Sequence, residues 1–126
     1  MRNDPAVRTP HLRIHQHNEY TVLEFHGEID ILAALETSPL LDAATGRPAP
    51  QIVIDLRNIE FLDCSGLRLL HRIRRRTLAQ GGRVHLVCTH RLTLRVLQVT
   101  GLAAELPPLS SLDEAFSHPE ATTEPL

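Results

Sequence analysis

The residues best suited to chemistry are clustered in Asp63-Cys64-Ser65-Gly66, directly before a segment whose leucines have helical spacing. We expect Ser65 to be the N-cap of that helix, because its hydroxyl can accept from backbone N–H groups of the first turn. Those N–H groups and the helix dipole also favour an anion. A phosphate on Ser65 would add about −1.5 to −2 charges without unfolding the helix. By residue type alone Ser65 is a plain N-cap, and the same position is compatible with a covalent switch that changes a binding contact.

Cys64 and the carboxylates near Ser65 raise catalysis as an alternative. A helix N-terminus lowers the pKa of a thiol, but His71 lies about two helical turns from Cys64, too far away to act as its base. Semi-buried packing is the expected role of Cys64. Asp30 and Asp63 could act as acid and base, yet turn chemistry also accounts for both. We predict a binding protein rather than an enzyme, and keep a thiol-dependent enzyme using Cys64 as the alternative.

A basic stretch follows on the same helix, at Arg68, Arg72, Arg74, Arg75 and Arg76. Arg68 and Arg72 share a helical face with Arg75 or Arg76. This face is either solvated or the contact for an acidic partner surface. The formal net charge of −2 and the pI of about 6.4 are far from the basic character of nucleic-acid-binding domains. We therefore predict no direct nucleic-acid contact.

Neither a metal site nor a membrane segment is expected. His11, His15 and His17 would lie on one side of a strand, but they lack a standard zinc spacing, and we predict no cofactor. Cys64 and Cys88 are expected to be free thiols in a reducing compartment. Residues 1–10 contain no apolar run, and no stretch approaches the ~18 apolar residues of a membrane span. We expect a cytoplasmic protein.

The elements that position these residues alternate between strands and helices. Strands are predicted at Leu12–His17, Tyr20–His26, Gln51–Leu56, Val84–Val87 and Leu102–Leu106, with a loop over Asn58–Asp63. Helices are predicted from a Ser38-Pro39 start to Ala44, over Ser65–Gln80, from a Thr89 cap to Val99, and over Ser111–Ser117. This alternation indicates an α/β fold with a partly parallel sheet of about four or five strands and about four helices. One domain is expected over residues 11–117, between flexible tails at 1–10 and 118–126.

Several motifs in a consistent order resemble the STAS family of sulfate transporters and anti-sigma factor antagonists. They are Gly27-Glu28-Ile29-Asp30, the segment 52–63, the turn Asp63–Leu67, Gly81-Gly82 and Val99–Leu102. The resemblance covers essentially the whole predicted domain. It implies a small mixed sheet with helices packed mainly on one face. Cys64 departs from the Ser or Thr that often precedes the family's phosphorylated serine, whereas Ser65 itself is retained.

The resemblance also implies a function. An antagonist of this type binds an anti-sigma factor with serine kinase activity and so releases a sigma factor. The kinase would inactivate it by phosphorylating Ser65, a phosphatase would restore it, and Asp30 near Ser65 would support kinase engagement. The residues expected to contact the partner are Asp30, Asp63, Cys64, Ser65, Gly66, Arg68 and Arg72. The alternative is a scaffold subunit of a larger signalling assembly; an antagonist acting alone should be a monomer or a weak homodimer.

Overall fold

A six-stranded mixed β-sheet organises the computed structural model, which describes residues 7–117. The strands are β1 (Val7–Arg8), β2 (Leu12–His17), β3 (Tyr20–Ile29), β4 (Gln51–Leu62), β5 (Arg83–Val87) and β6 (Pro108–Leu109), in this order across the sheet. β1, β2 and β3 pair antiparallel, and β3 to β6 pair parallel. The predicted α/β fold with a partly parallel sheet is confirmed; the two outermost strands have only two residues each.

The described residues form five helices, and four of them pack on one face of the sheet. They are α1 (Ile31–Thr45), α2 (Cys64–Ala79), α3 (Arg91–Val99), α4 (Leu102–Glu105) and α5 (Leu112–Phe116). The main core joins α1 to α4 to one sheet face through residues such as Leu41, Leu70 and Leu97. A smaller core under α5 contains Val22 and Val53 on the other face. The helices therefore lie mainly on one face, as predicted.

The strand β4 is longer than predicted, and the loop expected at Asn58–Asp63 is wrong. β4 continues to Leu62 because β3 also continues, through Gly27 to Ile29, and the two strands stay paired as far as Ile29 and Leu62. The pairing shifts register twice in this stretch. Each shift breaks the strict alternation by which a strand is recognised in sequence. The polar residues of this segment therefore look like a loop although they lie in a strand.

Helix α1 begins at Ile31, so the predicted start at Ser38-Pro39 is wrong. Asp30 is its N-cap and accepts from the Ala33 N–H at 3.0 Å. Pro39 lies inside the helix, and the Ser38 hydroxyl donates to the Ala34 carbonyl at 2.6 Å. The buried residues recur every four positions, at Ala33, Thr37, Leu41 and Thr45. Half of this stripe is threonine, whose hydroxyls donate to carbonyls one turn earlier, and that concealed the helical pattern.

The segment after β5 differs from prediction at two points. His90, not Thr89, caps α3, and its Nδ1 accepts from the Thr93 N–H at 3.3 Å. The predicted strand Leu102–Leu106 is wrong, because Leu102–Glu105 is α4. The strand instead lies at Pro108–Leu109, beside β5 at the edge of the sheet, where a proline is tolerated because one side needs no ladder hydrogen bond. The predicted last helix is confirmed as α5, capped by Ser111.

The predicted tails lie mostly outside the described residues, which exclude 1–6 and 118–126. Of the N-terminal tail, Val7 and Arg8 form β1, paired with β2 at Ile14 and Arg13. Within residues 7–117, no helix has the length and apolar character needed to cross a membrane.

Candidate functional site

Two helix N-termini meet at the edge of the sheet that is formed by the carboxyl ends of the parallel strands. β3 and β4 are parallel, and their last paired residues are Ile29 and Leu62. An aspartate follows each strand at once: Asp30 caps α1 and Asp63 caps α2. The Asp63 N–H donates to the Ile29 carbonyl at 3.2 Å, so the two caps lie side by side. The positive ends of two helix dipoles therefore converge at this edge, each with an aspartate against it.

Ser65 is the second residue of α2 and not its cap, so that prediction is wrong. Asp63 Oδ1 accepts from the backbone N–H groups of Ser65 (2.8 Å) and Gly66 (3.2 Å). One carboxylate oxygen thus satisfies two of the amides that a helix start leaves free. The Ser65 hydroxyl takes no part in the cap, and the residue is partly exposed. Its oxygen is therefore available to an incoming group.

Gly66 fixes the position of this turn against the end of β3. A β-carbon at Gly66 would lie 2.8 Å from the Ile29 carbonyl oxygen and 2.9 Å from Leu62 Cβ. Neither neighbour is the free end of a flexible side chain, so any larger residue would push α2 away from the sheet. Gly66 therefore holds Ser65 close to the cap of α1.

Cys64 is exposed, so the predicted semi-buried packing is wrong. It is the first residue of α2, and the buried residues of this helix come after it. Cys88, at the end of β5, is buried, and burial raises the pKa of its thiol. Both cysteines are free thiols, as predicted.

The two arginines Arg72 and Arg76 join α2 to α1. Arg72 donates to both carboxylate oxygens of Asp42, at 3.0 and 2.8 Å. Arg76 donates to the Asp42 carbonyl and to the Thr45 hydroxyl, at 2.8 and 2.9 Å. The hydrogen bond from Arg72, with the charges of both arginines, holds the pKa of Asp42 below its ordinary value. Arg72 thus already has an intramolecular partner.

Arg68 differs from Arg72 in its surroundings. It is exposed one turn after Ser65, and among the described residues it makes no ion pair within 4 Å. Of the two arginines predicted to meet a partner, Arg68 is therefore the one whose charge is uncompensated.

An apolar surface beside the site was not singled out from sequence. Ile31, Leu32 and Leu35 lie in the first turns of α1, directly after the Asp30 cap, and are 60%, 71% and 68% exposed. Contiguous exposed apolar residues are typical of interaction sites. The signal was present in the apolar run after Asp30, but with α1 predicted to start at Ser38 it could not be assigned to a helix surface.

The histidines near the N-terminal strands are engaged separately. His11 Nδ1 lies 2.9 Å from Glu36 Oε1, and His15 Nε2 lies 3.4 Å from Glu24 Oε1. His17 stacks on Phe116 with ring centroids 3.9 Å apart. Nowhere in residues 7–117 do three potential metal ligands come together.

Comparison with known proteins gives one family. The STAS domain model matches residues 11–115. The anti-sigma-F factor antagonist RsfB of Mycobacterium tuberculosis is 28% identical over 101 residues, which are 80% of this chain and 82% of that protein. The crystal structure of an anti-sigma factor antagonist from Mycobacterium paratuberculosis superposes with a TM-score of 0.77 at 28% identity, covering 84% of this chain and 90% of the other.

The fold is also shared with a more distant protein solved in two states. The unphosphorylated form of the anti-sigma factor antagonist SpoIIAA has a TM-score of 0.63 at 21% identity, covering 82% of this chain and 91% of the other. The phosphorylated form from Bacillus has a TM-score of 0.66 at 23% identity, covering 83% of this chain and 96% of the other.

Proposed function

The chain belongs to the STAS domain family, and on this premise we propose that it is an anti-sigma factor antagonist controlled at Ser65. The names of the RsfB relative and of the similar crystal structure support the antagonist function. The observation that carries the control site is the placement of Ser65: it is the second residue of α2, and its hydroxyl is not used for capping. A role in releasing a sigma factor would place the protein in the cytoplasm.

The surroundings of Ser65 explain how a phosphate would act as a switch. The start of a helix stabilises an anion, so the modified protein stays folded. Asp30 and Asp63 already place negative charge at this edge, and a phosphate adds about −1.5 to −2 more. A partner that approaches this edge would have to desolvate that charge or meet it with cations. Phosphorylation therefore weakens binding to a partner surface that is complementary to the unmodified edge.

The exposed apolar residues of α1 supply the second part of the contact. Ile31, Leu32 and Leu35 can be buried by a partner that covers Asp30, and an apolar centre with a polar rim is the usual composition of an interface. Arg68 is placed to meet an acidic group of the partner. Arg72 has an indirect role in this proposal, because its ion pair with Asp42 keeps α1 and α2 together.

The partner in this proposal is an anti-sigma factor with serine kinase activity. It would phosphorylate Ser65, lose affinity for the product, and return to the sigma factor. A phosphatase would remove the phosphate and restore the antagonist. Asp63, Cys64 and Gly66 would form the rest of the surface that the kinase contacts.

The test measures affinity for the anti-sigma factor by calorimetry with four forms of the chain: wild type, Ser65→Ala, Ser65→Asp and the control Ser117→Asp. Ser117 is an exposed serine at the end of α5, which packs on the opposite sheet face. We expect wild type, Ser65→Ala and Ser117→Asp to bind alike, and Ser65→Asp to bind at least about tenfold more weakly.

Incubation with the same partner and ATP tests the covalent step. Wild type should gain the mass of one phosphate, located on Ser65 by fragmentation, and Ser65→Ala should gain none. Equal affinity of Ser65→Asp and wild type, or phosphate on another residue, would contradict the proposal.

A further inference from the structure

A row of charged residues crosses the sheet face opposite α1 to α4. Arg8 pairs with Arg13, Arg13 with Glu24, and Glu24 with Asp55 across four adjacent strands. Val22 lies two residues before Glu24, and Val53 lies two residues before Asp55. Both valines belong to the small core under α5. Because side chains alternate along a strand, the charged row lies on that same face. At the outer end of this row, Arg8 and Arg13 are exposed.

The two acids in this row already have partners. Asp55 is fully buried, and Arg57 donates to both of its carboxylate oxygens at 3.0 Å. Glu24 Oε2 lies 2.7 Å from His26 Nε2 and accepts from Asn58 Nδ2 at 3.4 Å. The other oxygen of Glu24, Oε1, is shared between His15 Nε2 at 3.4 Å and Arg13 Nη1 at 3.9 Å.

The two arginines of the row are not compensated in the same way. Arg13 Nη1 comes only within 3.9 Å of Glu24 Oε1. Arg8 has no acidic group within ion-pair distance among residues 7–117. Like charges directly opposite each other on antiparallel strands are destabilising. Among residues 7–117, Arg8 therefore lacks a counter-charge, and Arg13 has only the long ion pair with Glu24.

An open cavity lies over these two arginines. Its volume is about 610 Å³, and Arg8, Thr9, Pro10, Arg13, Glu24 and His26 line it. This volume is in the range of small-molecule sites. The Thr9 hydroxyl oxygen accepts from the backbone N–H groups of His11 (3.2 Å) and Leu12 (3.1 Å). Its oxygen is thereby held in place while its own hydrogen stays available to donate.

We propose that this cavity binds a small molecule through a phosphate group, held by the guanidinium groups of Arg8 and Arg13 and the hydroxyl of Thr9. A guanidinium matches a phosphate with two parallel hydrogen bonds. A phosphate dianion also supplies the counter-charge that Arg8 lacks and that Glu24, which lines the same cavity, gives Arg13 only at 3.9 Å. The site lies on the sheet face opposite α2, so it does not depend on the switch at Ser65.

The test is an NMR titration of the full-length, ¹⁵N-labelled protein with inorganic phosphate and, separately, with glucose 6-phosphate. Ionic strength is kept constant with chloride. We expect saturable shifts of the Thr9 and Arg13 amides with at least one of the two ligands. If glucose 6-phosphate binds more strongly than inorganic phosphate, its sugar part occupies the rest of the cavity. If the two ligands bind equally, the phosphate group alone provides the affinity.

Four variants make the test specific. Arg8→Gln and Arg13→Gln should each weaken binding at least about tenfold, the effect of losing a charge-assisted hydrogen bond. Arg13→Lys keeps the positive charge and should remain folded. It should still bind phosphate more weakly than wild type, because lysine lacks the planar guanidinium group. Arg95→Gln, at an exposed position on α3, removes the same charge elsewhere and should bind like wild type.

The proposal is overturned by any of three results. These are linear shifts that do not saturate with either ligand, an equal loss of affinity in Arg95→Gln, or shifts centred on the start of α2 rather than on Thr9 and Arg13.

Discussion

At the scale of single residues, three residues of the segment 63–66 have different roles. Asp63 caps the helix, Ser65 keeps a free hydroxyl, and Gly66 permits close packing. The location of Ser65 in the first turn of a helix could be predicted from the sequence, because the leucine spacing after it is clear. Which residue is the cap could not be predicted, since aspartate and serine are about equally good caps, and the backbone angles of Asp63 decide between them.

The two cysteines should differ sharply in reactivity. In the folded protein, iodoacetamide at neutral pH should modify Cys64, which is exposed, and leave Cys88, which is buried and whose thiol pKa is raised by that burial. Mass spectrometry of intact and digested protein gives the modified site. The variant Cys64→Ser should remain unmodified until denaturant is added. Rapid alkylation of Cys88 in the folded state would contradict its burial, and an unusually fast Cys64 would favour a thiol-dependent enzyme.

At the scale of elements, the contact between α1 and α2 depends on residues about thirty positions apart in the chain. The basic face of α2 could be predicted, since its arginines recur at helical spacing. Its pairing with Asp42 could not, although Asp42 lies inside the helix predicted from Ser38 to Ala44, because the spacing within one helix does not show which residue of another helix it faces. Thr45, which accepts the hydrogen bond of Arg76, lies one residue beyond the predicted end of that helix. The contact between α1 and α2 is therefore a tertiary feature that neither helical pattern contains by itself.

The ion pair between Asp42 and Arg72 should make stability depend on acid pH. The folded-state pKa of Asp42 lies below 3.8, its ordinary value, so its contribution is present above that value and is lost as the pH falls through the folded pKa. Asp42→Asn should lower Tm at pH 7 by about 1–4 °C, a small effect because the pair is partly exposed.

Thermal unfolding of both proteins from pH 7 downwards tests this. The difference in Tm should disappear at the acid end. Glu60→Gln neutralises an exposed acid of β4 that makes no ion pair within residues 7–117, and it should show neither effect. A difference in Tm that stays constant with pH would mean that Asp42 acts through packing alone.

At the scale of the whole molecule, the sheet has one large and one small core. Alternation of strands and helices was enough to predict the fold class, because the hydrophobic period of a strand or a helix can be recognised over five or more residues. Strand lengths were harder to predict, since β3 and β4 are extended by irregular pairing. The small core rests on one five-residue helix, α5, whose Ala115 is fully buried against the sheet.

A charge at Ala115 should detach α5 and open the small core. Ala115→Asp places an unpaired carboxylate against Val22, Val53 and Val87 and should lower Tm by about 5–10 °C. It should also increase the fluorescence of a dye that binds apolar surface, with little change in far-UV circular dichroism. Ala104→Asp, at an exposed position of α4, is the matched control and should resemble wild type. An unchanged Tm for Ala115→Asp would show that α5 does not seal this face.

The tight turn at Asp63 and Gly66 has a further consequence for recognition. Because the cap and the close packing already fix the backbone at Ser65, a partner that binds there loses little backbone entropy in ordering it. The start of α1, which is distant in sequence, lies beside the start of α2. A linear peptide copied from residues 60–70 would carry the serine without the start of α1. Under the proposed function, the unit of recognition would be the folded edge of the sheet, and the kinase would recognise its shape rather than a short sequence motif.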